Sequence, residues 1–427
     1  MLEAITSAFA PMFYLISPYD LALREDEQQP RYLDTYLPMF FVFMIIEAVA
    51  TKFLTYRQSK ATSHTNYFTP DTFASVFLGT SQSIFMLFLK RLGVEISSSV
   101  YAYIWQNYRL VTYDVKEWPL ATYFGLLLGV DCAYYWYHRG AHEFHALWAG
   151  HNVHHSGDTY NLATALRQGA IQPLTSSWLT HIPLALIFPP APHKAHHELN
   201  TLYMFWVHTE LVGRLGPLEY VMNTPMAHRM HHRAPGNCNY AGVFIIWDRL
   251  FGTYEAELVR KDSYGLAAPA TSFSILQLNL RHWQIMQNIP RSWLGRLFSR
   301  RVKAKWFCRP SALFEPIPPQ QGDKRPEGYS QAHAKDKLGR DVPLSFRLRM
   351  YIIIASAVGI LASFVMLLTG ASMQLSRFLP LLAICFGHLE VMSKLFTNPS
   401  KNLHMSLSMF VLLLVAMPLH LMNGSVA

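Results

Sequence analysis

The sequence predicts an all-α fold: a polytopic integral membrane helical bundle with a histidine-rich metal site at its cytoplasmic side. Three observations predict it. Of 427 residues, 51% are hydrophobic and only 15% charged, well below the roughly 25% charged residues usual in soluble domains. The mean hydropathy is positive, and the apolar residues gather into blocks of bilayer-spanning length. Finally, the 20 histidines crowd into short motifs beside those blocks.

The blocks justify the helices in order. Residues 36–55 can cross a bilayer, with Glu47 as an internal blemish. Residues 71–89 form a weaker span, interrupted by Ser, Thr and Gln. Residues 98–115 are amphipathic and aromatic, which suits the membrane interface. Residues 118–137 form a span that runs directly into His138, 170–190 are apolar up to Pro189 and Pro190, and 198–213 return with His208 and Glu210 inside. A polar, basic stretch fills 215–349, and its tail 316–344 reads as a Pro- and Gly-rich linker. Three apolar segments follow at 350–369, 378–393 and 404–422. The resulting division is 1–117 for N-terminal membrane and interfacial segments and 118–260 for a histidine-motif core. A basic segment and linker fill 261–345, and C-terminal spans fill 346–427.

The net charge of +9 raises the question of nucleic acid. The distribution argues against it, because 20 of the 36 Lys and Arg residues lie between 215 and 349. That pattern suits a membrane-facing cytoplasmic surface. Cys132, Cys238, Cys308 and Cys385 are far apart and form no C-x-x-C or disulfide pattern. No cleavable signal peptide and no C-terminal retrieval or lipidation signal is expected.

The chemistry sits in the histidines. His138 and His142 are spaced i, i+4, which puts both imidazoles on one helix face. His151, His154 and His155 form one H-x-x-H-H motif, and His228, His231 and His232 form another; the spacing i, i+3, i+4 is expected to gather each set of three rings on one face. Such a motif is expected about 0.04 times by chance in a chain of this composition, and the chain has three. Neutral imidazole is a good ligand for iron. Eight such rings exceed the needs of one ion and suit a dinuclear centre. They also exceed the one or two axial ligands of a haem.

The third match, His193, His196 and His197, is a decoy. If 118–137 delivers His138 to one face, 170–190 crosses away and 198–213 crosses back. The motifs at 138–155 and 228–232 then share a face, and 193–197 sits on the other. His208 is an ionisable group inside an apolar segment, a costly placement that usually signals function. It is expected to be an extra ligand, a residue that orients one, or an internally hydrogen-bonded histidine. Glu143 follows His142 directly and points about 100° around the helix from it. It is a candidate for orienting a ligand or binding a cofactor, with solvent exposure as the bland alternative. His145 is expected to be non-ligating.

These motifs resemble those of the fatty acid hydroxylase/sterol desaturase superfamily of membrane di-iron enzymes. The resemblance rests on the H-x3-H and two H-x2-HH motifs and on longer strings. Those strings are NYRL (107–110), GVDCAYYWYHRGAHE (129–143), WAGHNVHHSGDTYNLATALRQ (148–168), FWVHTE (205–210), GPLE (216–219), NTPMAHRMHH (223–232) and NYAGVFIIWDRLFGTYEAE (239–257). They favour the branch that cleaves alkylglycerol ether lipids. The resemblance is dense over about 98–260 and fades through the linker. One departure is a short segment between His232 and Tyr240.

The resemblance implies two Fe ions on His138, His142, His151, His154, His155, His228, His231 and His232, with Glu143 and His208 at family-like positions. It implies a monooxygenase that uses O2 and a lipid substrate drawn from the bilayer. Hydroxylation of the carbon next to the ether oxygen would give a fatty aldehyde and a glycerol derivative. Tetrahydrobiopterin would supply electrons, and the endoplasmic reticulum would be the residence. Asp131, Asp158 and Asp248 are candidates for holding ring N–H groups. Two rival readings follow from the same histidines: a sterol or fatty-acid hydroxylase or desaturase fed by cytochrome b5, and a metal transporter. Transport ligands belong within spans near the midplane, whereas these motifs lie just outside them.

Overall fold

The computed structural model describes residues 9–22, 31–58, 67, 69–112, 114–174, 178–233, 237–257, 264–266, 270, 272–289, 292–297, 301 and 345–424. The linker 316–344 and Cys308 lie outside the described residues.

Two long N-terminal helices come first: α1, Tyr32–Gln58, and α2, Pro70–Arg91. The Thr69 hydroxyl accepts from Thr72 N at the start of α2, and Lys90 and Arg91 close its last turn. Both ends therefore complement the helix dipole. The shorter α3, Ile96–Tyr108, is followed by α4, Pro119–Glu143, and by α5, His145–His151. Next come α6, Trp178–Ala185, and α7, Pro190–Trp206, then α8, Pro225–His232, α9, Ile246–Leu250, and α10, Ile275–Gln287. The chain closes with α11, Phe346–Thr369, α12, Leu375–Thr397, and α13, Pro399–Gly424. Among the described residues no strand forms, and an isolated bridge joins Arg233 and Tyr264, so the all-α expectation holds.

Among the described residues, five helices are long and apolar enough to cross a membrane: Tyr32–Leu54, Pro70–Arg91, Phe346–Thr369, Leu375–Thr397 and Pro399–Pro418. They match the predicted spans 36–55, 71–89, 350–369, 378–393 and 404–422. The chain is an integral membrane protein. Lipid gives little hydrophobic drive for helices to associate, so close packing of small residues matters. At Gly359 a Cβ would sit 2.4 Å from the His388 ring. That ring donates from Nε2 to Ala355 O at 2.9 Å, locking α12 onto α11.

Cross-contacts fix the direction of each helix. The Arg91 guanidinium donates to Met373 O at 2.6 Å, joining the end of α2 to the α11–α12 turn. Tyr101 donates to Phe188 O at 3.0 Å, placing α3 beside the α6–α7 turn. These contacts define one end of the bundle. The other end gathers 144–168 and 207–289. There Ser274 donates to Glu390 near the end of α12 at 2.6 Å.

Two expectations need correction. Residues 170–190 are no continuous span. They contain a 3₁₀ turn at Gln172–Leu174 and only eight helical residues in α6. Pro183 falls inside that helix and removes a donor from its ladder. The returning helix α7 begins at Pro190, not 198, so the decoy histidines lie inside a helix rather than in a loop beyond one. The direction of travel survives. Leu184 packs at Gly129 and Phe188 at Gly125 on α4, so α6 runs away from the histidine end. Then α7 returns, with Asn200 donating to Asp131 at 2.8 Å.

Candidate metal centre

Five segments deliver imidazoles to one end of the bundle. The last turns of α4 carry His138 and His142, and α5 ends on His151. A 3₁₀ turn holds His154 and His155, and α8 carries His228, His231 and His232. His208 follows α7 directly. All nine rings are buried.

The nine rings sort into two groups. His138, His142, His151, His155 and His231 form one, and His154, His208, His228 and His232 form the other. Within each group the nitrogens lie within 4.8 Å of one another. In the first, His138 Nε2 is 3.0 Å from His151 Nε2, His142 Nε2 is 3.1 Å from His155 Nε2, and His231 Nε2 is 3.1 Å from His155 Nε2. In the second, His208 Nε2 is 3.0 Å from His228 Nε2 and 3.3 Å from His154 Nε2, and His232 Nε2 is 3.2 Å from His228 Nε2.

The expectation that each H-x-x-H-H puts all three rings on one face is corrected by this split. The i, i+4 pairs stay together: 138 with 142, 151 with 155, and 228 with 232. The middle ring of each triple turns to the other group. Positions i+3 and i+4 differ by about 100° around a helix, so His154 and His155 diverge, as do His231 and His232. Both adjacent pairs have ring planes 85° apart. Each motif therefore straddles both groups.

Backbone carbonyls fix the tautomers. His138 Nδ1 faces Tyr240 O at 2.7 Å and His231 Nδ1 faces Cys238 O at 2.8 Å. His154 Nδ1 faces Arg167 O at 3.0 Å and His208 Nδ1 faces Met204 O at 2.8 Å. A carbonyl only accepts, so these Nδ1 atoms carry the proton and Nε2 presents its lone pair. Burial keeps the rings outside the membrane spans neutral. It pushes His151, His155, His228, His231 and His232 well below the ordinary imidazole value, with neighbouring imidazoles adding to the effect. His154 falls to about 4, mainly through burial. Lone pairs facing each other across about 3 Å repel, and a cation between them removes the conflict. The donor set fits two metal ions of the imidazole-preferring kind, such as iron.

The predicted carboxylates act one step away. Asp131 accepts from Val243 N, Phe244 N, Trp247 Nε1 and Asn200 Nδ2. Asp248 accepts from Tyr240 N at 2.7 Å and Ala241 N at 2.8 Å. These two hold the backbone that carries the Tyr240 carbonyl, and carbonyls, not carboxylates, hold the rings of His138, His154, His208 and His231. Between the two carbonyl clamps, Asn239 adopts a left-handed φ of 53°. Its side chain donates to Ala227 O at 3.0 Å and Glu255 O at 2.8 Å. Asp158 donates its N–H to Asp71 at 2.9 Å.

The remaining candidates separate cleanly. Glu143 lies outside both groups and pairs with Arg139 at 2.8 Å, with both side chains buried. His145 also lies outside them and faces His282 across 2.9 Å. The decoy stays apart: His193 meets His181 at 2.7 Å, and His196 meets Tyr14. The His196 ring packs 5.0 Å from Tyr123, fifteen helical residues or about 22 Å along α4 from His138. Sequence reasoning missed Arg167. Its one visible signal was an arginine directly after the largely apolar run 162–166, and the structure buries it fully.

Comparison with known proteins is informative at this point. The fatty acid hydroxylase profile matches residues 123–253. The chain is 39% identical to human alkylglycerol monooxygenase over 284 residues, 65% of this chain and 60% of that protein. It is 36% identical to the Xenopus tropicalis alkylglycerol monooxygenase over 347 residues, 77% of this chain and 73% of that one. It is also 36% identical to the ornithine lipid hydroxylase OlsE of Rhizobium tropici, over 32% of this chain and 43% of that protein. No solved structure matches.

Proposed function

The chain belongs to the fatty acid hydroxylase family, and from that premise we propose that it is an O2-dependent membrane monooxygenase of alkylglycerol ether lipids. Two iron ions and tetrahydrobiopterin serve as its cofactors. The observation that carries the reading is the pair of buried, neutral imidazole groups, held apart yet adjacent at one end of a membrane bundle. In this reading His138, His142, His151, His155 and His231 hold one iron, and His154, His208, His228 and His232 hold the other. Held by these rings, the two irons would supply the reduction and activation of O2, and the two electrons that the reaction consumes would come from the tetrahydropterin.

The protein's own residues do the rest. The carbonyls of Tyr240, Cys238, Arg167 and Met204 keep the ring lone pairs aimed inward. Burial of all nine rings excludes water. The substrate's C–H bond next to the ether oxygen is weakened by that oxygen's lone pair. Insertion of one oxygen atom there yields a hemiacetal, which collapses to a fatty aldehyde and a glycerol derivative, and the second oxygen atom leaves as water. Glu143 and its partner Arg139 sit at the last turn of α4 beside His142, where they can orient that ligand or meet the pterin. The site lies at the end of the spans, so an alkyl chain can rest in the bilayer while its head group reaches the irons. The basic stretch 215–349 leaves from this same end, which supports placing it in the cytoplasm, in the endoplasmic reticulum membrane.

The test is anaerobic Fe(II) loading followed by an aldehyde assay on an alkylglycerol, with and without tetrahydrobiopterin. Aldehyde formed only with the pterin and O2 supports the reading. Turnover of a sterol with a cytochrome b5 chain, and none of the ether lipid, would replace it with the sister activity. Metal flux into vesicles without turnover would make it a transporter.

A further inference from the structure

Two carboxylates project from the N-terminal membrane helices toward the second histidine group. Both precede residue 123, where the family match begins. Glu47 lies on α1 and is only 3% exposed. One of its oxygens accepts from the Thr209 hydroxyl, beside His208, in a short hydrogen bond. The other accepts from Leu162 N at 2.8 Å and from the Tyr67 hydroxyl. Three separate strands of chain therefore meet on one carboxylate.

Asp71, in the first turn of α2, performs the matching task for His154. The Arg167 guanidinium donates to Asp71 Oδ1 at 3.0 Å, to Ser75 Oγ at 3.2 Å, to Ser156 Oγ at 2.9 Å and to Val153 O at 3.2 Å. Arg167 O is the carbonyl that receives the His154 ring proton. The second oxygen of Asp71 accepts from Asp158 N, Thr159 N and the Thr159 hydroxyl at 2.7–2.9 Å. Thus Asp71 fixes both the arginine and the turn that leads from His154 and His155.

Among the described residues, no carbonyl clamp of the first group is tied to α1 or α2; Asp71 reaches that group only through the turn that His155 shares with His154. Its clamps come from the 238–248 segment, through Tyr240, Cys238 and Asp248. We propose that Glu47 and Asp71 are positioning residues for the second metal ion, so that α1 and α2 complete one metal site as well as anchoring the chain. The proposal rests on the two-iron reading above. Its physical basis is that a buried carboxylate sharing several donors leaves those donors unsatisfied when it is altered, and that outer partners of ligands tune metal affinity by about 10–100-fold.

The experiment measures iron per chain after anaerobic Fe(II) loading, together with the Mössbauer spectrum of the loaded protein. The variants are Glu47→Gln and Asp71→Asn, with Asp248→Asn as the comparison acting on the other group. The expected result is about two irons in the unaltered protein and about one in each of the first two variants, with loss of one set of spectral features. Unchanged helix content by circular dichroism should accompany that loss. If either variant fails to fold, Thr209→Val removes the hydroxyl that donates to Glu47 and accepts from Leu211 N, and Thr209→Ser restores it. Retention of two irons at unaltered affinity overturns the proposal. So does simultaneous loss of both, which would mark the carboxylates as general stabilisers. An unaltered protein that binds fewer than two irons would instead overturn the two-iron reading itself.

Discussion

At the residue scale, the decisive quantity is which way each ring nitrogen points. His208 joins the second group, 3.0 Å from His228, while His145 faces His282. His208→Ala is therefore expected to lower the iron content by one per chain and activity by at least about 100-fold. His145→Ala should leave the iron count unchanged. Metal analysis of the purified variants checks both. The buried rings also set a pH dependence for the metal-free protein. Their pKa values in the folded state lie below the unfolded value near 6.5, His154 at about 4. Below 6.5 the unfolded chain binds protons that the folded chain does not. Stability is then present above that pH and lost as pH falls through 6.5 toward 4. The melting temperature of the metal-free protein in detergent should drop between pH 7 and pH 5. A rise over that range would contradict the burial of neutral rings.

At the element scale, the 240–248 segment is the working part of the core. Gly242 shows how tightly it is held. A Cβ there would sit 2.6 Å from Asp131 Oδ1 and 3.0 Å from Asn200 Oδ1. Asp131 accepts the amides of Val243 and Phe244 at 2.7 and 2.8 Å, so it has little room to retreat. Gly242→Ala should cost about 1–3 kcal/mol by overpacking, read as a lower unfolding midpoint, and should weaken iron binding by displacing the Tyr240 carbonyl. Much at this scale was legible in the sequence. The helix carrying His138 and His142 was expected to end its apolar run at 137, and it continues unbroken to Glu143. The misread segment was 170–190. Its mostly apolar composition hides the 3₁₀ turn at Gln172–Leu174 and the early end of α6 at Ala185, because hydropathy reports burial and not backbone continuity.

At the scale of the whole molecule, the histidine end and the α3 end lie on opposite sides of the bundle. A cysteine placed at Glu95 and one placed at Leu215, each in a cysteine-free background, should label from opposite faces of sealed microsomes. The one at Leu215 should label from outside, if the metal end is cytoplasmic. Labelling of both from one face would remove the transmembrane arrangement. The C-terminal helices belong to the same body. Glu390 on α12 accepts from Ser274 Oγ and Leu276 N at the start of α10, and Asn279 on α10 accepts from Ala170 N at 2.7 Å.

By itself the sequence determined the all-α membrane architecture, because bilayer-length apolar blocks leave the backbone no alternative to helices. It also singled out eight histidines whose spacing cannot be accidental, with His208 as a further candidate. Tertiary structure alone decided how nine rings divide between two groups, since a 100° turn between adjacent residues acquires meaning only once a neighbouring segment occupies each side. It likewise decided that His193, His196 and His197 stay out, because the helix that carries them sets the His196 ring against Tyr123, some four helical turns, about 22 Å, from His138. Finally, it decided that carbonyls hold four of the rings, those of His138, His154, His208 and His231. Every residue carries a carbonyl, so nothing in the sequence distinguishes Tyr240 or Arg167 as a clamp until the chain folds back to bring it there.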